Sequence, residues 1–108
     1  MENKMQESEV LDFKNSVEYE FDSIVSRRVL DKNSGTITLF SFDKGQRLSP
    51  HSAPFDALLQ VLDGRAEIVI GKKPLSLKSG ESVIMPANIT HSVYAVEPFK
   101  MQLTMLKN

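Results

Sequence analysis

From residue 24 onward, apolar side chains arrive in short runs set off by Gly, Pro, Asn and Asp. The runs are Ile24–Leu30, Thr36–Phe42, Ala57–Leu62, Ala66–Ile70, Leu75–Lys78, Val83–Met85, His91–Val96 and Met101–Leu106. Each is rich in β-branched or aromatic residues or alternates at period two, and no segment repeats at the 3.6-residue period of a helix. All five Pro and all five Gly fall between runs or at their ends, where they cost a strand least. Asp63-Gly64, lying between two apolar runs, reads as a β-hairpin turn. The pattern predicts about eight strands at 8–12 residue spacing, an all-β antiparallel sandwich or barrel. Among closed forms the jelly roll suits this strand number and length.

Upstream of residue 24 the character changes. The first 22 residues hold seven acids and two bases, whereas the remaining 86 hold seven acids and eleven bases. The organisation expected is therefore an acidic, partly mobile N-terminal arm over 1–23 and a β-barrel domain over 24–108. Two readings stay open for the arm. It is a solvated terminus with the first ~10 residues mobile, or it docks on the mildly basic body or on a partner subunit. Val10-Leu11-Asp12-Phe13 has the pattern for one helical turn.

Composition narrows the function classes. The chain has 108 residues, 41% apolar and 25% charged, which is one ordinary globular domain. A net charge of -1 argues against a nucleic-acid partner. No apolar run reaches the ~18–20 residues of a membrane span, and the polar, acidic start does not read as a secretory signal. The expected location is the cytoplasm. Absence of cysteine removes disulfides, thiolate metal sites and cysteine nucleophiles.

Two stretches have motif spacing. In the first, Gly45 is followed after five residues by His51, and Gly64 closes the segment. In the second, Gly80 is followed after five residues by Pro86, with His91 beyond it. In this order, within an all-β chain, they resemble the two motifs of the cupin superfamily, and the chain is similar to a small single-domain cupin. The resemblance spans residues 45–95 and implies an antiparallel jelly-roll barrel. It also implies a metal held by two His and a Glu of the first motif and a His of the second. Here only His51 and His91 stand at those places. Ala53 replaces the other His, Ala57 replaces the Glu, and Asn88 and Ala95 replace the second motif's Gly and Asn.

A catalytic divalent metal usually has at least three protein ligands, so the expected metal site is weak at most. Its candidate ligands are His51 and His91, with Gln60 as a possible third, and its candidate ions are Zn, Ni, Fe or Mn. Alternation sets His51 with Ala53, Ala57 with Leu59, and His91 with Val93. The expected ligand-binding pocket is thus lined by His51, Ala53, Ala57, Leu59, His91 and Val93, with no catalytic residue assigned. Gln60 and Asp56 have the opposite parity; for Gln60 an amide satisfied at a sheet interface is the competing role. Ser92, Tyr94, Gln102 and Thr104 are polar groups that sequence does not orient. Phe55, Met85 or Met101 would plug the bowl of a mere scaffold.

The leading expectation is a small-molecule-binding barrel. The alternative is a metal-dependent oxygenase or isomerase with an unusual ligand set. Leu58 and Leu62 lie opposite Leu59 and Val61, and Phe40 and Phe42 opposite Ile37 and Leu39. Sheets apolar on both faces call for a second cover, and the expected partner is a second copy in a homodimer.

Overall fold

The computed structural model describes residues 5–107. It is built of nine strands: β1 (Ile24–Lys32), β2 (Gly35–Phe42), β3 (Arg47–His51), β4 (Asp56–Asp63), β5 (Arg65–Ile70), β6 (Lys73–Lys78), β7 (Ser82–Met85), β8 (His91–Ala95) and β9 (Phe99–Leu106). A single 3-10 turn at Phe13–Asn15 precedes them, close to where one helical turn is predicted. The strands form two antiparallel sheets, β1-β2-β9-β4-β7 and β3-β8-β5-β6. This is the jelly-roll architecture that the strand spacing predicts. None of its helices is long and apolar enough to cross a membrane, among the described residues.

Two expectations need correction. The ninth strand is β3, whose sequence Arg-Leu-Ser-Pro-His has one large aliphatic residue and a proline, so it lacks the apolar signature of its neighbours. It forms because its partner β8 supplies the ladder. The second correction concerns Asp63-Gly64, which is no hairpin. β4 pairs with β7 and β9, whereas β5 pairs with β6 and β8. The dipeptide is the corner at which the chain leaves one sheet for the other. Gly64 has φ +75°, and a Cβ there would come within 2.0 Å of the Pro98 carbonyl oxygen, so only glycine fits the corner.

The core lies between the sheets. Phe42, Leu59, Val61, Met101 and Phe99 from the larger sheet meet Ala66, Ile68, Leu77, Val93 and Ala95 from the smaller. Phe42 and Phe99 stack with centroids 4.5 Å apart. Inward and outward residues alternate in β4 from Ala57 to Val61 and along β8, as half-buried strands require.

The arm docks on the barrel body. Residues 13–20 cross the outer face of the larger sheet, and Val17 is buried there. The Ser41 hydroxyl donates to the Glu18 carbonyl (2.7 Å), Arg27 Nη1 to the Ser16 carbonyl (3.0 Å) and Lys100 Nζ to the Lys14 carbonyl (2.7 Å). The Tyr19 hydroxyl donates to Asp63 (2.6 Å). Cover from the arm explains why Leu39, Ser41, Lys100 and Gln102 are buried although they point out of the barrel. The predicted mobility of the first residues falls partly on residues 1–4, outside the described residues.

Candidate functional site

His51 ends β3 and His91 begins β8, and the two are direct partners across the ladder. Ile70 of β5 continues that row. The imidazole rings meet edge to face with centroids 4.4 Å apart. The loop from His51 leads into β4 at Asp56, and the loop from Met85 leads into β8 at His91. Ala57 and Met85, themselves ladder partners, therefore stand at the same end of the barrel as the His pair. A backbone bond from Asn88 N–H to the Ala53 carbonyl (2.7 Å) ties the two loops. Asn88 has φ +66°, in the left-handed region that glycine adopts freely and asparagine tolerates better than most residues. That is how it serves where the resembling motif has Gly.

Each ring is oriented by its own strand. His51 Nδ1 lies 2.7 Å from the Ser49 carbonyl and His91 Nδ1 lies 3.3 Å from the Ile89 carbonyl. A carbonyl only accepts, so each Nδ1 carries the proton, and each Nε2 of the neutral rings presents a lone pair. His51 is exposed and His91 is buried. Burial, and then the neighbouring His51, hold the His91 pKa below its ordinary value of 6.5, against the opposing pull of the Ile89 carbonyl. The arrangement is a pair of neutral imidazoles with acceptor nitrogens at the barrel mouth. It can accept hydrogen bonds from a ligand or offer two nitrogens to a metal ion.

The remaining predicted site residues divide. Ala53 is half-buried beside the pair. Ala57 lies in the core against Met85, and Leu59 (0% exposed) and Val93 (2%) are closed within it. These last two belong to the core cluster that also holds Met85 and Met101. Gln60 is corrected as a metal ligand. Its ladder partners are Ser82 and Gln102 on the outer face of the larger sheet, opposite in parity to Leu59 and Val61. Asp56 also points outward, and its carboxylate accepts the Ala87 N–H (2.9 Å). Gln102 and Thr104 share that outer face, where the Thr104 hydroxyl donates to the Gln102 carbonyl oxygen (2.7 Å). Ser92 and Tyr94 face outward from the smaller sheet. They line a surface groove of about 440 Å³ that sequence reasoning missed, together with Arg47, Ser49, Pro50, Glu67 and Val69. Its one advance signal was the shared parity of Ser92 and Tyr94.

The metal implied by the resemblance is tested by this donor set. Two imidazole nitrogens fall short of the three protein ligands usual for a catalytic ion. No cluster of three or more His, Cys, Asp or Glu that could hold a metal occurs among the described residues. The residues present do not make a resident metal centre.

A two-sheet antiparallel barrel with motif histidines meeting at its mouth defines a protein of the cupin class. The chain belongs to the cupin domain family, whose profile matches residues 38–106, more than half of its length. A conserved protein of unknown function from Streptococcus pyogenes is 39% identical, with a TM-score of 0.91 over 96% of this chain and 91% of that one. A cupin 2 conserved barrel domain protein from Leptotrichia buccalis is 44% identical (TM-score 0.84); 87% of this chain aligns with 46% of that one, so this chain spans about half its length. A cupin superfamily protein from Desulfitobacterium hafniense, 24% identical with a TM-score of 0.88, covers 99% of this chain and 97% of its own and shares the fold. No curated protein matches the chain.

Proposed function

We propose that this chain is a small-molecule-binding cupin, active as a homodimer, whose ligand docks at the barrel mouth on His51 and His91. The observation that supports this is the 4.4 Å imidazole pair with both Nδ1 atoms engaged by backbone carbonyls, which leaves an acceptor nitrogen on each ring. A ligand with N–H or O–H donors meets them, and a divalent ion such as Zn, Ni, Fe or Mn binds them weakly at most. Turnover as an oxygenase or isomerase has less support. Among the described residues no carboxylate joins the pair, and Asp56 and Glu67 both point out of the barrel.

Protein-detected NMR with a library of neutral hydrogen-bond-donating fragments tests the reading. Hits are expected to move the amides of His51, Asn88 and His91, and His91→Ala is expected to abolish those shifts. Hits that never reach this end of the barrel overturn it. Calorimetry with zinc chloride tests the metal limit. Wild type is expected to bind no tighter than micromolar, and Ala53→His, which supplies a third imidazole, to bind at least ~10-fold tighter. Zinc retained by wild type through dialysis would refute the two-ligand description.

A further inference from the structure

The groove on the outer face of the smaller sheet is separate from the His51–His91 mouth, because side chains of successive residues leave a strand on opposite faces. His91, Val93 and Ala95 point into the barrel, and Ser92 and Tyr94 point out. One wall comes from a bulge in β3. Leu48 pairs with Val93 and His51 with His91, so β3 spends three steps where β8 spends two, and Ser49-Pro50 is raised against Ser92. The floor is Val69 and the ring of Tyr94. Arg47, Tyr94 and Glu67 form one ladder row across β3, β8 and β5.

The two charges in that row are placed for a ligand rather than for each other. The Arg47 guanidinium carbon sits 5.1 Å from the centre of the Tyr94 ring, so its cation is held on the aromatic face with N–H donors free at its edge. Neither Arg47 nor Glu67 enters an ion pair or side-chain hydrogen bond among the described residues. Tyr94 lies between them, two strand spacings of ~4.8 Å separate their backbones, and the groove between them holds about 440 Å³.

We propose that this groove binds an ω-amino carboxylate, a small zwitterion whose charges are several carbons apart. Its carboxylate takes the fork of Arg47 N–H donors, its ammonium pairs with Glu67, and its methylene chain runs along Val69 and the edge of Tyr94. The hydroxyls of Ser49 and Ser92 supply further hydrogen bonds along the wall.

The test is calorimetric titration of the full chain with ε-aminocaproate, and with caproate and hexylamine as the two single-charge probes. Wild type is expected to bind the zwitterion at least ~10-fold tighter than either probe. Arg47→Gln should remove that advantage and weaken caproate, and Glu67→Gln should remove it and weaken hexylamine while sparing caproate. Both positions are exposed, and thermal melts are the check that the variants fold. NMR shifts on titration should fall on Val69, Ser92 and Tyr94 and leave His51 and Asn88 in place. Equal affinity for all three probes, no saturable binding, or shifts centred on the His pair would each overturn the proposal.

Discussion

At the scale of single residues, His91 couples the barrel mouth to pH. Burial and the neighbouring His51 lower its pKa below 6.5 in the folded chain, so the unfolded chain binds the proton more readily. Stability therefore rises with pH between the depressed folded value and 6.5, and falls as acid is added through that interval. Thermal melts between neutral pH and mild acid should show the melting temperature dropping, with a shallower drop in His91→Asn. Identical slopes in the two proteins would mean that His91 titrates as a free imidazole. The sequence made His51 and His91 conspicuous because motif spacing carries side-chain identity. It did not reveal that Leu59 and Val93 are sealed, because parity assigns a face and says nothing about how tightly that face is packed. Gln60 has the opposite parity to Leu59, and of its two roles the sheet-face amide is the one the ladder fits. An amide inside an apolar run looks like a site residue until the ladder shows it beside Gln102 and Ser82.

At the scale of elements, residues 13–19 of the arm pack as a further layer on the outer face of the larger sheet. Val17 is buried, and five polar contacts tie residues 14–19 to the sheet or to Asp63. Val17→Ala should cost about 1–2 kcal/mol in chemical denaturation. Tyr19→Phe should cost about 1 kcal/mol by removing the bond to Asp63. That bond, chiefly, holds the Asp63 carboxyl below 3.8, so its stabilisation is present above 3.8 and is lost as pH falls through the lowered value. If neither substitution changes the denaturation midpoint, the arm is undocked in solution. Excess acid drew attention to this segment, but three of the contacts that fix it use the arm's backbone carbonyls and another buries a valine, which composition does not register. The Asp63-Gly64 corner was misread because a glycine with positive φ serves a hairpin and a sheet-to-sheet corner equally well. Which of them forms depends on distant partners in β6, β7, β8 and β9.

At the scale of the whole molecule, the outer face of the larger sheet is only half covered. The arm lies over the rows containing Leu39, Ser41, Lys100 and Gln102. Beyond it runs a single uncharged row through all five strands: Leu30, Ile37, Thr104, Leu58 and Ile84, each the ladder partner of the next. Leu30 is 47% exposed, Leu58 40% and Ile84 66%. With neighbouring Leu106, this is a largely aliphatic stripe about 19 Å wide at ~4.8 Å per strand. A sheet face with no charge along this row can lie on its own copy about a two-fold axis without opposing like charges. Association through this face also leaves the Arg47–Tyr94 groove and the His51–His91 mouth open, since neither belongs to the larger sheet's outer face. Stable dimers bury ~800 Å² per partner, so the proposed contact would extend from the stripe across the β1–β2 hairpin and Leu106. Light scattering at micromolar concentration should return twice the 12.1 kDa chain mass for wild type. Leu58→Asp with Ile84→Asp, at positions already exposed in the single chain, should return 12.1 kDa with an unchanged far-ultraviolet circular dichroism spectrum at room temperature. A dimer that survives both aspartates places the contact elsewhere, and a monomeric wild type leaves the stripe without its second copy.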